Sequence, residues 1–180
     1  MQFTLSHFEV RVRDIARMEA FYTGVLGFVV TDRSAPGGHQ MVFLSGDPGE
    51  HHQLVLGEAE AGAFDDGSFD HIAFRVGGLD DLRALHRALG RVESIETRTV
   101  CHGTTWSIYF HDPEGNRVEL FADTPWHVAQ PARFDIDLTL PDAELLALTE
   151  RVIAGGEDFQ PAETWNRAHR ERMEADIEAG

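Results

Sequence analysis

Apolar and polar residues alternate through Ser6-His7-Phe8-Glu9-Val10-Arg11-Val12, and the alternation returns in Asp70-His71-Ile72-Ala73-Phe74-Arg75-Val76, 64 residues later. A period of two belongs to a half-buried strand. Both stretches read His-x-x-x-Arg-Val, and each is followed by a helical period. Ile15, Met18, Tyr22 and Val25 share one face behind Asp14, a capping residue; Leu79, Leu82, Leu85 and Leu89 share one face ahead of Gly90, a helix stop. Three strand-like runs follow each helix, near 27–33, 39–45 and 52–58, then near 94–101, 104–111 and 116–122. Turn chemistry separates them at Ala35-Pro36-Gly37-Gly38, Gly46-Asp47-Pro48-Gly49 and Asp112-Pro113-Glu114-Gly115-Asn116. The pattern predicts an α+β fold written twice as βαβββ, with module one over 1–60, module two over 68–122 and an Ala/Gly/Asp linker near 58–68.

Beyond Phe121 the character changes, with Pro125 and Pro131 breaking the pattern. A helix is expected from Pro141 through Leu145, Leu148 and Ile153, and a strongly charged second one over 162–177. This C-terminal helical extension, 123–180, lacks an apolar core of its own and is expected to pack across the modules or on a partner subunit.

The 180 residues are 42% hydrophobic and 26% charged, which suits one globular unit with a real core. The net charge of −16 repels phosphate, so neither nucleic acid nor an anionic membrane is the expected partner. No apolar run reaches the roughly 18 residues of a membrane span, and the first residues lack the basic and apolar regions of a secretion signal. A lone cysteine, Cys101, forms no internal disulfide and suits a reducing cytoplasm.

Ten histidines raise the question of where they fall. By strand parity His7 shares a face with Leu5, Glu9 and Arg11, and His71 with Ala73 and Arg75; the greasier faces, Phe8-Val10-Val12 and Ile72-Phe74-Val76, pack on the helices. Glu119, in Asn116-Arg117-Val118-Glu119-Leu120-Phe121, is likewise a carboxylate between apolar neighbours that face away from it. Taken singly, each is a polar residue on an exposed sheet face. Together, at corresponding strand positions, they point to a shared metal, because two imidazoles and a carboxylate make the facial triad of non-haem Fe(II) oxygenases. Shifting Glu119 back by 64 lands on Val55, which binds no metal, so coordination positions stay open.

The segment from His102 through Ile108-Tyr109 and Asp112-Pro113 to Glu119 resembles the signature of the type I extradiol ring-cleavage dioxygenases of the vicinal oxygen chelate superfamily, and the repeat resembles the same superfamily over 1–122. The resemblance implies an open, eight-stranded barrel-like sheet and a catechol 2,3-dioxygenase or 2,3-dihydroxybiphenyl 1,2-dioxygenase type of activity. It implies Fe(II), with Mn(II) as an alternative, held by His7, His71 and Glu119. An aromatic diol and O2 are the implied reactants. His102 and Tyr109 match residues that hydrogen-bond substrate and intermediates, and His52 matches the acid–base histidine, although strand parity alone turns His51 inward. A homo-oligomer is the implied assembly. The departure is Glu9, two residues after His7, where relatives often carry a neutral residue; it reads either as a scaffold partner of Arg11 or Arg75 or as a contact to a polar or cationic substituent.

Other function classes are weighed against this one. A glyoxalase- or epimerase-type isomerase or lyase of the same fold usually takes a ligand from the last strand of each half, where Val55 is unsuitable. A non-catalytic drug-binding resistance protein generally lacks the triad. His39, His86, His111, His127 and His169 read as surface or turn residues and Cys101 as a buried filler, while Trp106 and Phe110 stand open between substrate pocket and core.

Overall fold

In a computed structural model of the chain, residues 7–35, 38–47, 50–59 and 71–179 are described. Module one consists of β1 (Phe8–Val12), α1 (Ile15–Gly24), β2 (Val29–Ser34), β3 (Met41–Ser45) and β4 (Leu54–Glu58). Module two repeats it as β5 (Ile72–Arg75), α2 (Leu79–Leu89), β6 (Arg98–Cys101), β7 (Thr105–His111) and β8 (Arg117–Asp123). The extension supplies β9 (Trp126–His127), β10 (Phe134–Asp135), α3 (Asp142–Ile153), β11 (Gln160–Pro161) and α4 (Ala162–Ala179). Most of the expected linker, Ser6 and the middles of two expected turns lie outside the described residues.

The sequence repeat is also a repeat in register. In each module the first strand runs parallel to the last, with Glu9 opposite Val55 and Ala73 opposite Glu119. The Asp14 side chain accepts from the Arg17 N–H and starts α1, while Gly90 follows the last residue of α2. Asp80 and Asp81 sit in the first turn of α2, where unpaired N–H groups favour negative charge.

The module strands form two sheets, β1-β4-β3-β2 and β5-β8-β7-β6, the second extended by β10 beside β6, and β9 pairs with β11 in a separate two-stranded sheet. The expected eight-stranded sheet is therefore present as two four-stranded halves whose inner edges, β1 and β5, belong to separate ladders. On the first sheet Val10, Val12, Leu44, Leu54 and Leu56 form a buried face toward α1, whose Met18, Phe21 and Tyr22 are buried against it. On the second, Ile108, Phe110, Val118 and Leu120 form the equivalent face toward α2, which buries Leu82 and Leu89. Each fully buried side chain of this size contributes about 1.5–3 kcal/mol.

The modules meet through these helix-side faces. The Phe21 ring lies 6.1 Å from Phe110, Phe28 meets Phe74 edge-on at 5.2 Å, and the Tyr22 hydroxyl donates to the Asp112 carboxylate at 3.1 Å. The Arg13 and Asp14 backbone N–H groups donate to the Glu114 carboxylate, fixing the start of α1 on the β7–β8 turn. A cleft of about 720 Å³, lined by Phe8, Phe28, Phe74, Leu85 and Leu120 among others, remains between the modules on this side.

The extension packs on the same side of the second sheet. Leu145 and Thr149 of α3 are buried, and the Trp106 indole N–H donates to the Thr149 hydroxyl at 2.9 Å. Trp106 and Phe110 are thus core residues on the helix side. At the far end, Trp165 of α4 stacks between His127 and His169, with ring centres 4.2 and 4.5 Å away. No helix among the described residues is long and apolar enough to cross a membrane.

Candidate active site

The face of the second sheet turned away from the helices gathers four of the sequence-derived candidates. His71, just ahead of β5, places Nε2 3.1 Å from Oε2 of Glu119 in the middle of β8. Two donors about 2.1 Å from one cation and at right angles lie about 3 Å apart, so this pair suits adjacent positions on a metal. Glu119 is 8% exposed, which makes an unshared carboxylate costly there. Tyr109, directly opposite Glu119 on β7, sets its ring edge-on to His71 at 5.7 Å, and its hydroxyl lies 3.1 Å from His102 Nε2.

His102 is held from the other end. Its Nδ1 faces the Ala132 carbonyl at 3.2 Å, and a carbonyl only accepts, so in the neutral ring Nδ1 carries the proton and Nε2 is an acceptor beside the Tyr109 hydroxyl, whose one proton also has the Glu119 carboxylate as an acceptor. Gln130 donates to the His102 backbone carbonyl at 2.8 Å. The extension thus reaches the site, which the sequence pattern did not signal. Next to His102, Gly103 has φ of +77°, and a Cβ there would collide with the Val128 side chain, so glycine is required at this corner.

Burial, and then the Glu119 carboxylate beside it, push the Tyr109 phenol well above its ordinary value; Arg117 and Arg133 partly offset this. Their guanidinium groups lie 4.7 and 6.0 Å from the ring centre. Neither arginine was singled out from the sequence. The phenol therefore stays protonated at neutral pH and offers a proton to negative charge developing nearby.

The other two candidates, His7 and His52, lie at the first sheet. His7 and His52 pack ring to ring at 4.4 Å, and His52 also meets Phe43, which is paired with Val55, at 5.1 Å. They stand on the face that carries Glu9, away from α1. His51 turns outward, 60% exposed and 4.0 Å from Asp32. The parity argument for His51 fails because β4 begins only at Leu54, and the bend before it brings His52 to His7. Burial, then the neighbouring His7 and His51, lower the His52 pKa and favour its neutral, proton-accepting form.

Among the described residues no three His, Cys, Asp or Glu side chains converge as a metal site. One chain brings His71 and Glu119 together and holds His7 on the outward face of the other sheet. Within a single chain His7 is thus not brought to His71 and Glu119. Two of the remaining histidines have structural partners: His86 lies 3.3 Å from the Thr97 hydroxyl, and His127 3.2 Å from Asp158. The Cys101 thiol is pushed up by burial to about 11 and stays protonated.

Residues 4–120 match the glyoxalase/bleomycin resistance protein/dioxygenase superfamily. The chain is 34% identical over 164 residues to biphenyl-2,3-diol 1,2-dioxygenase 3 of Rhodococcus globerulus, covering 84% of this chain and 83% of that protein. Biphenyl-2,3-diol 1,2-dioxygenase 2 of the same organism is 33% identical over 93 residues, 48% of this chain and 47% of that protein. In fold it is similar to a glyoxylase/bleomycin resistance protein/dioxygenase domain from Frankia sp. EAN1pec, with a TM-score of 0.60, 22% identity, and 69% of this chain and all of that one covered. It is also similar to the fosfomycin resistance protein FosX of Listeria monocytogenes, solved with Mn(II) and sulfate, with a TM-score of 0.53, 20% identity, and 69% and 95% of the two chains covered. The two βαβββ modules, their shared register and these matches agree: the chain has the vicinal oxygen chelate fold and belongs to the glyoxalase/bleomycin resistance protein/dioxygenase superfamily.

Proposed function

We propose that this protein is an extradiol dioxygenase that uses Fe(II), or Mn(II), to insert O2 into a catechol-type aromatic diol and open the ring next to its hydroxyls. The observation that carries the reading is the continuous array His71–Glu119–Tyr109–His102 on one open sheet face. His71 and Glu119, with His7 as the third proposed ligand, would hold a divalent metal, which would supply open positions for a diol and for O2. Likeness over most of the chain to a biphenyl-2,3-diol dioxygenase supports the substrate class.

The chain's own groups divide the proton work. Tyr109 keeps its hydroxyl proton and presents it to oxygen on which charge develops, while the Ala132 carbonyl fixes the ring of His102 behind it. His52, held in its neutral form, is the base for a diol hydroxyl. Val55 occupies in module one the register position that Glu119 occupies in module two, and it is 2% exposed. A four-ligand site of the isomerase or lyase kind would need a donor there.

The test is O2 uptake by protein loaded with Fe(II) under anaerobic conditions, across biphenyl-type, alkyl and amino-acid catechols. Uptake with a yellow semialdehyde or ring-opened ketone is expected. A colourless muconate, or no uptake with any catechol, overturns the reading.

A further inference from the structure

Three arginines gather around Tyr109 on the open face of the second sheet. Arg98 stands opposite it on β6, Arg117 lies two residues before Glu119 on β8, and Arg133 comes from the extension just ahead of β10. Asp135 neutralises Arg98 at 3.0 Å. Arg117 and Arg133 instead set their guanidinium groups 4.7 and 6.0 Å from the Tyr109 ring centre. Elsewhere arginines sit against carboxylates: Arg11 on Glu9, Arg33 on Glu19, Arg75 on Asp123 and Arg83 on Asp142. Arg133 is exposed and forms no ion pair among the described residues. In a chain of net charge −16, a cation turned to this face rather than to an acid departs from that pattern. Its placement is built by the extension. Gln130 donates to the His102 carbonyl and accepts from the Ala132 N–H, the Ala132 carbonyl faces His102 Nδ1, and the next residue, Arg133, reaches Tyr109.

We propose that Arg133, with Arg117 beside it, selects diols that carry a carboxylate substituent on the ring. The inference rests on the dioxygenase reading and names the substrate class of that site. The Tyr109 ring lies 5.7 Å from the His71 ring. A diol held at His71 and Glu119 therefore has its ring beside Tyr109 and its substituent within reach of the guanidinium groups. A guanidinium meets a carboxylate through two parallel N–H···O bonds, a match that no neutral substituent supplies. The cation–π contact with Tyr109 holds the Arg133 head in place and leaves N–H donors for a ligand. The carboxylate nearest Tyr109 on this face, Glu119, is buried and turned to His71, so it does not serve Arg133.

The test uses a catechol bearing a carboxymethyl group and the methyl ester of the same compound. Each is titrated by calorimetry into anaerobic, Fe(II)-loaded protein, which reads binding without turnover, and is then assayed for ring opening. Wild type is expected to bind the acid about 10–100-fold more tightly than the ester, the range for a charge-assisted hydrogen bond, and to show the same preference in kcat/KM. Raising the salt concentration should narrow it. Arg133→Gln should erase the preference by raising KM for the acid, while its kinetics with the ester and its melting temperature stay at wild-type values. Arg133→Lys keeps the charge without the fork and should retain part of the preference. Equal affinity of wild type for acid and ester, or no binding of either, overturns the proposal. So does an Arg133→Gln variant that weakens both compounds alike, which marks Arg133 as a support for Tyr109 only. Failure of the dioxygenase reading shows differently, as acid-selective binding with no ring opening of either compound.

Discussion

The Nε2 of His71 stands 3.1 Å from Oε2 of Glu119, one just ahead of β5 and the other in the parallel strand β8 beside it. Parallel pairing of the first and last strands of the module places the two side chains on one face. His71→Ala is expected to remove divalent metal from the purified protein. The loss should exceed the roughly 10–100-fold fall in affinity that follows removal of an outer partner of a ligand. Full metal content in this variant, measured by elemental analysis, would eliminate the pair as ligands.

Tyr109→Phe separates holding the metal from using it. The hydroxyl touches His102 Nε2 and lies beside Glu119, yet the proposed ligands do not include it. Metal content is expected to stay at the wild-type level while kcat falls by about 10²–10⁴-fold, the range for a well-placed proton-transfer group. An unchanged rate would remove Tyr109 from the reaction.

Much of this arrangement was legible in the chain, and what escaped has identifiable causes. The period-two pattern around His7 and His71 separated helix-facing from open residues, and the 64-residue shift matched Val55 to Glu119, as the two parallel ladders bear out. Strand parity alone turned His51 inward because it was carried past the start of β4, whereas His52 is the one that packs on His7. The hold of Ala132 on His102 was invisible because a backbone carbonyl accepts from afar without leaving any residue-type signal. How the modules meet was also hidden: Phe21 and Phe110 declare themselves as core residues, but apolar periodicity does not say which sheet they will join.

The alkaline limb of stability should report on Tyr22. This side chain is fully buried and donates to Asp112; burial first, and then the Asp112 carboxylate, raise its pKa well above the ordinary value. In the unfolded chain the phenol ionises near pH 10. Its folded form binds the proton more tightly, so its stabilising contribution is full below about pH 10 and is lost as pH rises toward the folded value. Phenolate absorbance is expected to show Tyr22 silent until the protein unfolds. In folded Tyr109→Phe protein, phenolate absorbance rising near pH 10 would contradict the buried hydrogen bond, and Tyr22→Phe should make alkaline unfolding less steep.

Thr149 ties the extension to the second sheet. Its hydroxyl accepts from the buried Trp106 indole and donates to the Leu145 carbonyl at 2.8 Å. Thr149→Val preserves shape but leaves the indole N–H unpaired away from water, a cost of about 1–3 kcal/mol. A lower Tm is expected, with Trp106 fluorescence changing in the same transition as the far-ultraviolet signal. No change in Tm would mean that water or another acceptor replaces the threonine.

Glu9 poses the remaining question of substrate choice. It shares the face of His7, and its Oε1 lies 3.0 Å from Nε of Arg11, while Arg75 pairs with Asp123 at 3.5 Å. Of the two scaffold partners the sequence offers, the nearer one on the same strand is taken. The pair is open to solvent, with 35% of the Glu9 side chain and 58% of the Arg11 side chain exposed, so it contributes at most about 1 kcal/mol. Glu9→Gln is therefore expected to shift the melting temperature only slightly. With its charge already shared with Arg11, Glu9 is a weak site for a substrate ammonium group, and kcat/KM should change equally for neutral and amine-bearing catechols. A loss confined to the amine-bearing substrates would reverse this assignment, showing that the carboxylate leaves Arg11 to meet the substrate.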